Sequence, residues 1–282
     1  MQLKKEDYVE PNCALCGMPG EEAPLRPVPV DRIMAKLRAY EDRNDWPGVE
    51  RHLTYWLREA EANRDERGQL LLNNELMGYY RKQGKRTEAL AHADRAGDLV
   101  SRLKMENTVT AGTTWINIGT VKEAFGDAEG GLAFFEKAKE NYEKNLPRDD
   151  GRLGGLYNNM GLGLAACGRY AEAESMYRQA LEIMAEQPHG ELEQAITWLN
   201  MADAAEASLC PEEADTKVER YLTRAEDLLN TPGLPRNGYY AFVCEKCAPV
   251  FGHYGWFMTE AELNRRAAAG GADGKADFPP RA

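Results

Sequence analysis

Two Cys-x-x-Cys pairs carry the most specific chemistry in this 282-residue sequence: Cys13 with Cys16, and Cys244 with Cys247. Thiolates at this spacing can bind a metal, and four of them complete the tetrahedral coordination of a structural zinc site. The same spacing serves thiol redox chemistry, but a thioredoxin-like motif requires a strand followed by a helix, and neither pair has that context. The pairs therefore predict structural zinc, with thiol redox sensing as the alternative.

The two pairs lie in different surroundings. Cys16 is followed by Gly17, as in a zinc knuckle, where glycine lets backbone amides turn toward the sulfurs. Cys244 and Cys247 lie on a predicted helix, where residues three apart share one face. The alternative interpretation is that Cys244 is a core residue, and that Cys13 and Cys16 are free thiols or hold a metal weakly.

Motifs for catalysis are absent from the sequence or lie in the wrong context. The sequence contains neither Gly-x-Ser-x-Gly nor His-Glu-x-x-His, and its four histidines are scattered singly. Residues 161–166 match a dinucleotide-binding fingerprint, but no strand precedes them, so we expect them to pack in a core. Residues 78–86 are similar to a phosphate loop, but an arginine stands where magnesium requires serine or threonine. The sequence therefore predicts a protein that is not an enzyme.

Three asparagines recur at a constant point of the sequence. Asn117, Asn159 and Asn200 each follow an aromatic residue by two positions. A side-chain amide offers one acceptor and two donors, so it can match a peptide unit without reading the ligand's side chains. The alternative is that these amides bond to neighbouring helices of their own chain. Both interpretations remain open at this stage.

The elements that position these residues follow a 42-residue period. Gly84, Gly126 and Gly168 are 42 residues apart, and each separates two amphipathic, helix-forming stretches. A glycine in the left-handed conformation commonly ends a helix, so these positions predict turns of helical hairpins. Further steps reach Cys210, which precedes a proline, and Gly252. The period predicts an array of helix pairs joined at these turns.

Core positions repeat with the same period, and small residues alternate with large ones where paired helices must approach closely. The repeated positions are Trp115, Ile118, Gly119, Gly131 and Phe135; Tyr157, Met160, Gly161, Ala173, Tyr177 and Ala180; and Trp198, Met201, Ala202, Ala214 and Val218.

At these positions the sequence resembles the tetratricopeptide repeat family, and its long repeats are similar to those of kinesin-light-chain-like, bacterial-type members. The resemblance implies an all-α, right-handed superhelix of about six helix pairs over residues 30–266. A proline-rich segment, residues 1–29, would precede it. Residues 267–282 have the composition of a disordered tail.

The resemblance also implies a function and a site. In this family the first helix of each pair lines a concave groove, and asparagines at the position of Asn117, Asn159 and Asn200 commonly hold the backbone of an extended peptide. The other groove residues that the resemblance implies are Asn74, Arg81, Asn158, Thr120 and Glu123. We therefore expect a protein- or peptide-binding scaffold.

Such an array restricts the zinc hypothesis. Five repeat steps would separate the first helix pair from the last by about 40 to 50 Å. The chain from Cys16 to Val30 can span at most about 46 to 50 Å. One chain could therefore close a four-cysteine site only with a nearly straight N-terminal segment, and otherwise two chains would exchange pairs as a homodimer.

Composition limits the classes of partner. The formal net charge of -11 argues against binding nucleic acid or an anionic membrane surface, since both require concentrated lysine and arginine. No stretch of the sequence approaches the roughly 20 apolar residues of a membrane helix. We expect a cytoplasmic protein without a cofactor, apart from the zinc hypothesis.

Overall fold

The computed structural model describes residues 24–270, which form twelve α-helices and, within that range, no strand. The helices are α1 (Val30–Glu41), α2 (Trp46–Ala62), α3 (Glu66–Lys82), α4 (Arg86–Arg102), α5 (Val109–Ala124), α6 (Ala128–Asn145), α7 (Gly151–Ala166), α8 (Tyr170–Ala185), α9 (Glu191–Ser208), α10 (Pro211–Leu229), α11 (Gly238–His253) and α12 (Phe257–Gly270).

Aspartates define where several helices begin. Asp45, Asp65 and Asp127 precede α2, α3 and α6, and each carboxylate accepts a hydrogen bond from the backbone N–H of the glycine three residues later, at 2.8 to 3.0 Å. These bonds satisfy backbone donors that have no partner inside the helix. An aspartate followed by a glycine three residues later is thus a start signal repeated along the chain.

The predicted hairpin turns are confirmed at three glycines. Gly84, Gly126 and Gly168 have φ values of 67°, 88° and 74°, the left-handed region in which glycine carries no steric cost. The turn predicted at Cys210 also lies between two helices, α9 and α10. Cys210 itself is extended, with φ of -67° and ψ of 155°.

The turn predicted at Gly252 is wrong. Gly252 lies inside α11, and the left-handed residue that ends this hairpin is Gly255, with φ of 80°. A Cβ atom on Gly252 would come within 2.5 Å of the Glu260 carboxyl group on α12. Gly252 is therefore a helical residue next to the Glu260 side chain, and not the turn.

The described chain divides into two units, one ending at Leu146 and one beginning at Pro147. In each unit, the helices of a pair pack against each other. The first helices also pack on one another: α3 on α5 in the first unit, and α7 on α9 and α9 on α11 in the second. Each unit therefore places the first helices of its pairs side by side.

The predicted small positions allow this packing. A Cβ atom on Gly119 would lie 2.5 Å from Phe135, and one on Gly161 would lie 2.3 Å from Tyr177. Both aromatic rings are fully buried. The small residue in the first helix therefore makes room for the aromatic ring of the second, as predicted.

The ends of the array lie near the predicted limits. α1 begins at Val30, and α12 continues beyond Arg266 to Gly270, so residues 267–270 are helical. The proline-rich segment with Cys13 and Cys16, and most of the predicted tail, lie outside the described residues.

Candidate functional site

The three predicted asparagines lie on the first helices of consecutive pairs. Asn117 is on α5 in the first unit, and Asn159 and Asn200 are on the packed helices α7 and α9 in the second. All three side chains are half-buried. Their hydrogen bonds show which groups of each amide are already used within the chain.

Asn117 is held by a polar cluster between α3 and α5. Its Nδ2 donates to Asn74 Oδ1 at 2.9 Å, and Asn74 Nδ2 donates to Leu70 O at 3.0 Å and to Thr114 Oγ1 at 3.1 Å. The Thr114 hydroxyl donates in turn to Thr110 O at 2.9 Å. This chain of donors leaves Asn117 its Oδ1 acceptor and one N–H for a ligand.

A second cluster of the same composition joins α7 to α9. Asn200 Nδ2 donates to Asn158 Oδ1 at 2.9 Å, and Thr197 Oγ1 lies 3.1 Å from the same oxygen. Asn158, Thr197 and Asn200 follow Asn74, Thr114 and Asn117 by 83 or 84 residues, which is the length of two repeats. Asn158 therefore orients the Asn200 amide in the second unit as Asn74 orients the Asn117 amide in the first.

Asn159 differs from the other two asparagines. Within residues 24–270 its side-chain amide has no hydrogen-bond partner. The position that corresponds to Asn74 and Asn158 in the repeat between them is Ile116, which has an apolar side chain. Asn159 therefore has its full set of one acceptor and two donors available.

The remaining predicted groove residues differ in their hydrogen bonds and in their charge. Thr120 donates its hydroxyl hydrogen to Ile116 O at 2.9 Å, which leaves its oxygen as an acceptor. Burial raises the pKa of Glu123 to about 7, and the charge of Arg81 opposes this rise. Arg81 and Glu123 occupy corresponding positions on α3 and α5. Glu123 can therefore change its charge near neutral pH.

The C-terminal cysteine pair lies in the core of the second unit. Cys244 and Cys247, on α11, have 0% and 1% of their surface exposed, and burial raises the pKa of both thiols. Burial therefore favours thiols over the thiolates that bind zinc. In the part of the chain that the structure describes, no three His, Cys, Asp or Glu side chains come together as a metal site. Cys13 and Cys16 are outside that part.

An arginine-lined pocket lies between α8, α9 and α10 in the second unit and was not predicted from the sequence. Arg220 and Arg224 are four residues apart on α10, a spacing that places both on one helix face. This spacing is a sequence signal for a local basic surface, which the acidic net charge of the whole chain does not reveal.

The helices of residues 24–270 include none with the length and apolar character needed to cross a membrane. This finding concerns the described part of the chain alone.

Comparisons with known proteins agree with the repeat geometry. A tetratricopeptide repeat family model matches residues 154–186, which include most of α7 and α8. The chain is similar in structure to the nearly identical TPR-like repeats of a Podosopora anserina protein described as a kinesin light chain, with a TM-score of 0.59, 16% identity and coverage of 72% of this chain and 97% of that one.

It is also similar to BtubC (BKLC) from P. vanneervenii, with a TM-score of 0.52, 16% identity and coverage of 90% of this chain and 96% of that one. At such identities the likeness concerns the fold alone. No curated protein sequence matches this chain.

Proposed function

We propose that this chain, which has the fold of long tetratricopeptide repeats and matches that family's model over residues 154–186, is a non-catalytic scaffold that binds an extended segment of another protein along the first helices of its pairs. Scaffolds with this fold generally mediate protein–protein interaction and are typically not enzymes. The proposal assigns this general property to named side chains.

The observation that supports the proposal best is the free amide of Asn159 on α7 together with the oriented amide of Asn200 on α9. Helices α7 and α9 pack together, and Asn200 is held through its Nδ2, so its Oδ1 remains free to accept from a ligand N–H. Asn159 can both donate and accept. Two half-buried amides with unused hydrogen-bonding groups suit the backbone of an extended chain, which alternates N–H and C=O groups.

Asn117 offers the same oriented amide in the first unit. Thr120 and Glu123 lie on the same helix, and we propose that they contact ligand side chains near it. Because Glu123 titrates near neutral pH, binding of a basic ligand group there would strengthen as the pH rises through about 7.

Substitution of Asn159 gives the clearest test, because its amide supports no bond within the described chain. We expect Asn159→Ala to weaken partner binding by about tenfold, the effect of losing one or two hydrogen bonds. The matched control is Asn264→Ala, since Asn264 is an exposed, unpartnered asparagine on α12. Quantitative mass spectrometry of pulled-down proteins would compare both variants with wild type.

A partner recovered by wild type and by Asn264→Ala, but depleted with Asn159→Ala, would support the proposal. Equal recovery with all three proteins would refute the function of Asn159. Circular dichroism of the purified variants establishes that they are folded before the comparison is made.

The alternative function, zinc binding or thiol redox sensing, stays a prediction. It requires Cys13 and Cys16, which lie outside the described residues, to meet Cys244 and Cys247 in the same chain or in a second copy. The complete burial of Cys244 supports the competing interpretation that it is a core residue. The scaffold function is therefore the better supported of the two.

A further inference from the structure

An open pocket of about 580 Å³ lies between α8, α9 and α10 of the second unit. Its lining combines three arginines with an indole ring and polar side chains. The lining residues are Arg178, Gln194, Trp198, Arg220, Arg224, Asp227, Leu228 and Thr231. Known small-molecule sites occupy about 300 to 1,000 Å³, so the volume suits an organic ligand.

The pocket is lined by more arginines than carboxylates. Arg178 pairs with Glu174 at 2.5 Å, and the charge of Arg220 also lowers the pKa of the Glu174 carboxyl group. Arg220 lies over the Tyr221 ring, with its guanidinium carbon 5.1 Å from the ring centre. Within residues 24–270, neither Arg220 nor Arg224 forms an ion pair with a carboxylate. In a chain of net charge -11, these neighbouring arginines mark a local site for an anion.

Trp198 provides a planar apolar surface in the same pocket. Its indole is half-buried and packs on Tyr221, with ring centres 5.2 Å apart. Neither the indole N–H nor the Gln194 amide has a hydrogen-bond partner in the described part of the chain. The pocket is therefore rich in donors and carries an aromatic face on which a flat ring can stack.

We propose that this pocket binds a nucleoside phosphate. The guanidinium groups of Arg178, Arg220 and Arg224 would bind the phosphate oxygens, and the indole of Trp198 would stack on the base. The carboxylate of Asp227 suits the hydroxyl groups of a ribose, which donate hydrogen bonds. Inorganic phosphate alone would leave most of the volume empty and the indole unused.

This site is separate from the proposed peptide-binding surface. Trp198 and Asn200 are two residues apart on α9, which places them about 200° apart around the helix. A ligand on the Trp198 face would not touch the Asn200 amide. Failure of either proposal therefore leaves the other intact.

The test uses the full-length protein and isothermal titration calorimetry with ATP, GTP and UTP in buffer free of phosphate. Adenosine and pyrophosphate serve as partial probes, because each has one of the two required chemical groups. The variants are Arg220→Glu and Arg224→Glu. The control is Arg58→Glu, which reverses the charge of an exposed, unpaired arginine on α2, away from the pocket.

We expect at least one nucleotide to bind with a stoichiometry near one, and each pocket variant to weaken it about tenfold or more, while Arg58→Glu binds like wild type. Adenosine and pyrophosphate should each bind more weakly than the nucleotide. The proposal is wrong if no nucleotide binds at millimolar concentration, or if Arg58→Glu weakens binding as much as Arg224→Glu.

A hexaglutamate peptide is the final comparison. If it binds in an Arg224-dependent manner and the nucleotides do not, the pocket recognises acidic protein segments, and the nucleotide proposal is overturned.

Discussion

Replacement of Gly161 by alanine should destabilise the second unit. The added methyl group would lie 2.3, 2.6 and 2.8 Å from three carbon atoms of the Tyr177 ring, whereas unstrained carbon atoms stay about 3.5 to 4.0 Å apart. The ring is fully buried, so it cannot turn away into solvent. Overpacking of this kind costs about 1 to 3 kcal/mol, and the helix propensity of alanine returns about 1 kcal/mol.

We therefore expect Gly161→Ala to lower the free energy of unfolding by up to about 2 kcal/mol relative to wild type, and by about 1 to 3 kcal/mol relative to a variant that gains the propensity term alone. Gly78→Ala is the matched control, because Gly78 also lies within a first helix and a Cβ atom there would have no neighbour within 4 Å. This variant should gain up to about 1 kcal/mol from propensity alone.

Urea denaturation followed by circular dichroism measures both effects in the same assay. If Gly161→Ala proves as stable as Gly78→Ala, the inference that the residue at this position is small because the helices pack closely is refuted.

Three further predictions concern stability and metal content. Folding raises the pKa of Glu123 from 4.5 to about 7, so the folded state binds more protons and the free energy of unfolding falls as the pH rises through this range. Glu123→Gln should therefore be more stable than wild type at pH 8, by at most about 3 kcal/mol. At pH 5 the difference in free energy of unfolding between the two proteins should be smaller. Urea titrations that give the same difference at both pH values would contradict this. Asn74→Ala should lose about 1 to 3 kcal/mol because it leaves buried hydrogen-bonding groups without partners, and a urea midpoint equal to that of wild type would count against the cluster. Since burial raises the pKa of the Cys244 thiol and so disfavours the thiolate that binds metal, we expect elemental analysis of purified protein to find less than one zinc per chain; one zinc per chain, lost in Cys13→Ser, would instead support the four-cysteine site.

The hairpin turns were predictable where the left-handed backbone conformation is the only reason for the glycine. Gly84, Gly126 and Gly168 fill left-handed positions with no neighbour within 4 Å of an added Cβ atom, so the turn alone determines them. Gly252 is instead a helical residue next to the Glu260 side chain, and a second glycine, Gly255, follows it in the turn. A regular period cannot tell which of two nearby glycines has the positive φ.

Left-handed residues that are not glycine were not predictable. Asn44, Arg64, Lys104 and His189 have φ values of 53° to 60° at connections between helices. Asparagine is enriched in this conformation, so Asn44 carries a weak signal. Histidine is enriched there as well, so His189 carries a similar weak signal, whereas arginine and lysine carry none.

The candidate site was predictable in part. The recurrence of Asn117, Asn159 and Asn200 identified the helix positions, but the sequence could not show which amides are occupied within the chain. Whether an amide is occupied depends on the side chain that the packed helix places next to it. Asn74 and Asn158 occupy Asn117 and Asn200 because their amide oxygens point toward those residues. Hydrogen-bond direction is a property of the packed pair and not of a single repeat.

The polar clusters of Asn74 and Asn158 recur every second repeat, with Ile116 at the corresponding position between them. The module that reproduces itself along this chain is consequently about 84 residues long, twice the visible period. Duplicating or deleting one helix pair would break the alternation of asparagine and isoleucine at this position, whereas adding or removing two pairs would preserve it. Engineered versions of different length should therefore be built in steps of four helices.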